Sequence, residues 1–189
     1  MRKNNTLRPL CECAVFTAMA LALSYIKIPT GMAFGGFGGS IDLVMLPLIL
    51  CAIRWGSLWG LGSGLVFGTL KFFFAGGSAI SWPSMLLDYS LAYMMVGLAG
   101  VLKGRSSMSW AAALIGCFGR FVIHFISGVT IYAEYVSPIF GWDGKSSAIY
   151  SVLYNGSYML PNTVIAVLAI ALLQKPLGKF LRREDLKNI

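Results

Sequence analysis

One arginine and one histidine stand four residues apart in a stretch otherwise apolar enough to cross a membrane. The stretch is GRFVIHFISGVTIYAEY at 119–135, and it holds Arg120 and the chain's single histidine, His124. Arg120, His124, Gly128 and Tyr132 recur every fourth residue, so on an α-helix they form one slowly spiralling stripe. An ionised side chain at bilayer depth costs roughly 2.5–3.5 kcal/mol on insertion scales. Such groups face the protein interior, where a partner can meet them. The acid at membrane depth is Asp88, within LLDYSLAY. A nearby guanidinium would keep a buried carboxylate ionised, so Arg120 is its expected partner. Glu12 and Asp42 fall nearer to segment ends, where water reaches.

Aromatic and amide groups accompany these charges. In YSVLYNGSYMLPN at 150–162, Tyr150, Tyr154 and Tyr158 recur every fourth residue and Asn155 sits beside Tyr154. Tyr89 and Tyr93 make a similar pair behind Asp88. Single tyrosines of this kind also populate the aromatic belts of membrane proteins. Together, however, a carboxylate, an arginine, a histidine, an amide and several aromatic faces suit a flat, polar, cationic small molecule. Aromatic faces attract the cation, the carboxylate accepts ring or amine N–H groups, and amide and phenol fix orientation.

Catalysis has little to draw on. No nucleophile elbow and no metal-ligand cluster is present, so no catalytic residue, metal or cofactor is assigned. An enzyme using His124 with Asp88 or Glu134 as acid and base stays an alternative. Gly144-Lys145-Ser146 imitates the end of a phosphate loop, but that pattern requires Gly at 139 and Ile139 stands there. The cysteines Cys11, Cys13, Cys51 and Cys117 form no CxxC pair, and neither a disulfide framework nor a metal site is indicated.

These side chains must be carried by membrane-embedded elements. The chain has 189 residues, 57% hydrophobic and only 12% charged, against about 25% charged in soluble domains. The expectation is an all-α, six-helix integral membrane bundle with short loops, one unit over 1–189. Apolar segments fall at about 10–26, 41–53, 58–74, 85–102, 110–132 and 148–173. The second, at 1.5 Å per residue, falls short of the roughly 30 Å hydrocarbon layer, so it must borrow loop residues or be shielded by neighbours. The net charge of +8 is explained by topology rather than by nucleic acid. With the N-terminus inside, the inner ends carry most Lys and Arg, the outer connections only Lys27, Lys71 and Lys145. Both termini are therefore expected in the cytoplasm of a multi-pass protein of the cell membrane. The basic start lacks a convincing cleavage site and reads as leading into a retained helix.

Two segments carry small residues at every fourth position, which lets helix backbones approach closely. Gly56, Gly60, Gly64 and Gly68 suit packing inside the bundle. Ala14, Ala18 and Ala22 suit either internal packing or a docking surface. The glycine-rich GMAFGGFGG at 31–39 cannot hold a helix and could close over a pocket.

LLDY at 86–89, RFVIHFISG at 120–128 and YSVLYNGSYMLP at 150–161 resemble the thiamine-specific substrate-binding subunits of energy-coupling-factor transporters, and PLILCAIRWG at 47–56 also fits. The resemblance runs from the first segment to the sixth. It implies that Asp88 contacts an aminopyrimidine ring, that Arg120 pairs with that acid, and that His124, Tyr150 and Asn155 contact the ligand. Tyr132 stands where some members have a stacking tryptophan, Tyr89 belongs to the LLDY motif, and Gly128 would keep the helix wall close. Where some members stack a tryptophan from the first loop, this chain has glycines, with Phe34 and Phe37 the nearest aromatics. Glu12, Ala14 and Ala18 resemble the alanine motif that docks on a shared transmembrane coupling subunit, served by two ATPase subunits. Alternatives are a subunit for another vitamin, such as riboflavin or folate, and a self-sufficient transporter. Neither of those vitamins has thiamine's fixed cation, and no internal repeat supports the second.

Overall fold

A computed structural model describes residues 6–30, 38–136, 138–140 and 145–186. The chain is mostly helical. Helix α1 spans Leu7–Leu23, α2 Met45–Trp55 and α3 Ser57–Phe74. Next come α4 over Trp82–Leu102, α5 over Ser109–Thr130, α6 over Ser147–Leu173 and the short α7 over Gly178–Leu181. Among the described residues, α3, α4, α5 and α6 are long and apolar enough to cross a membrane, and α2 is a shorter apolar helix.

One correction concerns the all-α expectation. The connection between α1 and α2 forms a two-stranded antiparallel sheet, β1 (Lys27–Pro29) against β2 (Ser40–Asp42). Ile28 faces Ile41 across it. Too rich in glycine for a helix, this connection satisfies part of its backbone by strand pairing instead.

The short α2 is shielded by its neighbours. Every residue of it except Leu46 is buried, and Leu48, Ile49 and Ile53 pack with Phe67, Tyr93, Val96, Met159 and Ile170 from the surrounding helices. Lipid tails are as apolar as leucine, so close packing and hydrogen bonds, more than hydrophobic transfer, hold such helices together. The glycine row of α3 meets α4 backbone to backbone. A side-chain carbon on Gly64 or Gly68 would collide with the carbonyls of Tyr93 and Tyr89. Reciprocally, one on Gly97 or Gly100 would strike the backbone of Leu61 or Ser57. Rising along α3 means descending along α4, so the two run antiparallel.

At the end of the bundle that carries the described N- and C-terminal residues, Arg54 is completely buried. Its guanidinium donates to Glu12 at 2.5 and 3.1 Å, to Asp185 at 2.9 and 3.0 Å, and to the carbonyl of Phe180. All five N–H donors of the group are thereby used. Arg8 and the indole N–H of Trp55 reach the same Glu12, each at 3.0 Å. Glu12, expected near water, is thus engaged by the protein and ties α1 to α2. The four cysteines are free thiols, with the sulfurs of Cys13 and Cys51 in contact between the same two helices.

Candidate ligand-binding site

The opposite end of the bundle holds a cavity of about 280 Å³ between α4, α5, α6, the sheet and the last turn of α3. Its volume is near the lower end of small-molecule sites, roughly 300–1,000 Å³. Asp88, Tyr89, Arg120, His124, Gly128, Tyr132, Tyr150 and Asn155 all line it. Phe34 and Phe37, with the rest of 31–37, lie outside the described residues.

Local structure explains why α4 presents Asp88. The helix opens on Ser81, whose hydroxyl and backbone exchange hydrogen bonds with Ser84 in a capping box, with Pro83 in the first turn. It then widens into a π-turn over Leu86–Leu91. Asp88 and Tyr89, adjacent in sequence, both reach the cavity through this wider turn, a device common at functional sites. Tyr89 is braced by its hydroxyl on Ser78 and its ring edge-on to Phe72.

The expected direct pairing of Arg120 with Asp88 is replaced by a relay. Among the described residues, Asp88 accepts from His124 Nδ1 at 2.9 Å and from the Ser127 hydroxyl at 2.8 Å. Arg120 donates from Nε to His124 Nε2 at 3.3 Å and from Nη2 to the Tyr93 hydroxyl at 3.0 Å. A guanidinium only donates, so His124 accepts on Nε2 and keeps its proton on Nδ1 for Asp88. Helical spacing decides the outcome. Arg120 and His124 are one turn apart on α5 and meet directly, and the imidazole fills the space between arginine and acid. Two features keep unused hydrogen-bonding capacity. Asp88 uses one acceptor site on each oxygen and keeps the others. Arg120 Nη1, though buried, has no hydrogen-bond partner among the described residues.

The third wall is α6. Tyr150 and Tyr154 stack nearly parallel, with centroids 5.7 Å apart and planes 6° from coplanar. Tyr154 bonds through its hydroxyl to both the N–H and the carbonyl of Gly38, tying the base of the first connection to the cavity. Asn155 is pinned by protein groups: its amide N–H groups meet the Ser151 and His124 carbonyls, and its oxygen accepts from Tyr158 at 2.6 Å. It therefore holds α5 and α6 together and offers a ligand one remaining acceptor site. Gly128 has a packing role as well, since a Cβ there would collide with the hydroxyl of Ser151.

Sequence reasoning missed Lys71 and Asp42. Counted with the outer connections, Lys71 is in fact buried and donates to Tyr93 and Asp42 at 2.6 and 3.1 Å. Asp42, expected near water, is buried too. A signal existed: Lys71 lies three residues past Gly68, on the same inward face as the glycine row. Among the described residues no three His, Cys, Asp or Glu side chains gather as a metal site would need.

Comparison with known proteins places nearly the whole chain. The family model described as thiamine transporter protein matches residues 10–181. The chain is 30% identical over 187 residues to the thiamine transporter ThiT of Bacillus subtilis, covering 92% of this chain and 93% of that protein. It is 28% identical to the thiamine transporter ThiT of Lacticaseibacillus paracasei, covering 92% and 90%. A solved structure of ThiT from Listeria monocytogenes superposes with a TM-score of 0.80 at 27% identity, over 94% of this chain and 99% of that one. This is a family of multi-pass membrane transporters, not of enzymes. The chain belongs to the thiamine transporter protein family.

Proposed function

We propose that this chain captures thiamine in the cavity from the outer face of the cell membrane, as the substrate-binding subunit of an energy-coupling-factor transporter. One observation carries the reading: an ionic relay at the cavity wall ends in a carboxylate with free acceptor sites, facing stacked tyrosines. Thiamine offers the matching parts. Its aminopyrimidine N–H groups suit Asp88, its thiazolium suits the tyrosine faces, and a ring nitrogen or the hydroxyl oxygen could take the unpaired Arg120 Nη1. Acid–base catalysis by His124 and Asp88 lacks a comparable feature.

In this reading the single transmembrane unit has six spans, with α1 and the shielded α2 joining the four longer helices. Both termini face the cytoplasm, and lipid covers most of the outer surface. The alanine face of α1 docks on the transmembrane coupling subunit, whose two ATPase partners hydrolyse ATP. Its support is exposure: Ala14 and Ala18 lie on the outer side of α1 with Val15 and Met19, 59% and 48% exposed. The test is calorimetric titration of the purified protein in detergent with thiamine, riboflavin and folate. Saturable binding of thiamine alone is the expected result. Binding of riboflavin or folate in its place would reassign the ligand.

A further inference from the structure

A buried ion pair behind the cavity bears on which ligands it accepts. Lys71 lines the cavity, whereas Asp42, 6% exposed, is not part of its wall. Asp42 is held from several sides. Its carboxylate accepts from Lys71 at 3.1 Å, from the Ser40 hydroxyl at 3.0 Å and from the Val44 N–H at 3.3 Å. Its own N–H donates to Asn162 at 2.9 Å. Among the described residues, the charged groups at and behind the cavity are two buried cations, Lys71 and Arg120, the buried Asp42 and the half-buried Asp88, with His124 neutral. Lys27 also reaches the cavity but is exposed and screened by water. Asp88 therefore shares the cavity wall with two buried cations. Without Asp42, a cationic ligand would meet a net positive wall. In the low effective dielectric of the interior, one uncompensated positive charge near the ligand is enough to weaken a cation's binding about tenfold or more.

We propose that Asp42 determines charge specificity without touching the ligand: by neutralising Lys71 it lets the cavity accept a molecule with a fixed positive charge. Lys71 in turn positions the Tyr93 hydroxyl that receives Arg120. The inference rests on the thiamine reading of the cavity. The experiment titrates the full-length protein with thiamine and with an analogue whose thiazolium is replaced by a neutral thiophene. Asp42→Asn should weaken thiamine about tenfold or more and the neutral analogue less than about twofold. Combining Asp42→Asn with Lys71→Gln, which removes the opposing charge but keeps a donor for Tyr93, should restore the preference for the cation. Equal losses for both ligands in Asp42→Asn would make the residue structural only and overturn the inference, leaving the thiamine reading intact. Should the single variant fail to fold, the double variant decides: a retained cation preference supports the inference, and a lost one overturns it. If the unaltered protein bound neither ligand, the thiamine reading would fall and this inference with it.

Discussion

Each end of the bundle buries an arginine, and the two are treated in opposite ways. Arg54 has all five N–H donors engaged, two carboxylates against it and the Phe180 ring 3.7 Å from its charged carbon. Nothing is left over for a ligand. Arg120 makes two hydrogen bonds among the described residues, stacks over Tyr93 at 4.1 Å and leaves Nη1 buried and unpaired beside a cavity. Buried polar groups are normally satisfied, and an orphan is costly unless something else meets it. A saturated cluster therefore serves as a structural clasp, and an incompletely satisfied one at a cavity wall suits a receptor, the role proposed for this end. Both look alike in sequence, as one basic residue in an apolar run.

That contrast can be broken by mutation. The largest effect is expected at the clasp. Arg54→Met leaves Glu12 and Asp185 with only the half-exposed Arg8 as counter-ion among the described residues, and breaking a buried pair costs about 3–5 kcal/mol. The thermal midpoint in detergent should fall sharply, while the folded fraction binds thiamine with unchanged affinity. A loss of affinity at constant midpoint would erase the distinction between the ends. At the receptor the pattern should reverse. Asp88→Asn should weaken thiamine about 100-fold, the loss expected of charge-assisted contacts to a ligand, with little change in the midpoint of the empty protein.

Smaller effects sharpen the comparison. Tyr154→Phe removes the hydroxyl that ties Gly38 to the cavity. A net cost of about 1 kcal/mol should weaken affinity roughly fivefold, mainly through faster dissociation in stopped-flow measurements. The smallest effect concerns acid. The hydrogen bond from Arg54 holds the Asp185 carboxyl below its ordinary value. A depressed acid stabilises the fold above its unfolded pKa, about 3.9, and that contribution is lost as pH falls through the lower folded value. Thermal midpoints measured from pH 7 to pH 3 should therefore sag at the acid end. Asp185→Asn should lower the midpoint at neutral pH and flatten the sag. An unchanged acid profile in that variant would remove Asp185 from the clasp.

Apolar runs alone located the longest helices closely. A bilayer demands long apolar runs with internally satisfied backbones, and the segments read at 58–74, 110–132 and 148–173 match Ser57–Phe74, Ser109–Thr130 and Ser147–Leu173 to within two residues at each end. The glycine row of α3 was legible because its spacing is a local property of one helix. The residues singled out at 88–89, 120–132 and 150–155 line the cavity and were legible because polar side chains in such runs are few. Partners were not. Whether Arg120 meets Asp88 or His124, and whether Lys71 faces water or Asp42, depends on the depth and rotation of separate helices. No local period encodes those relations; only packing the bundle fixes them.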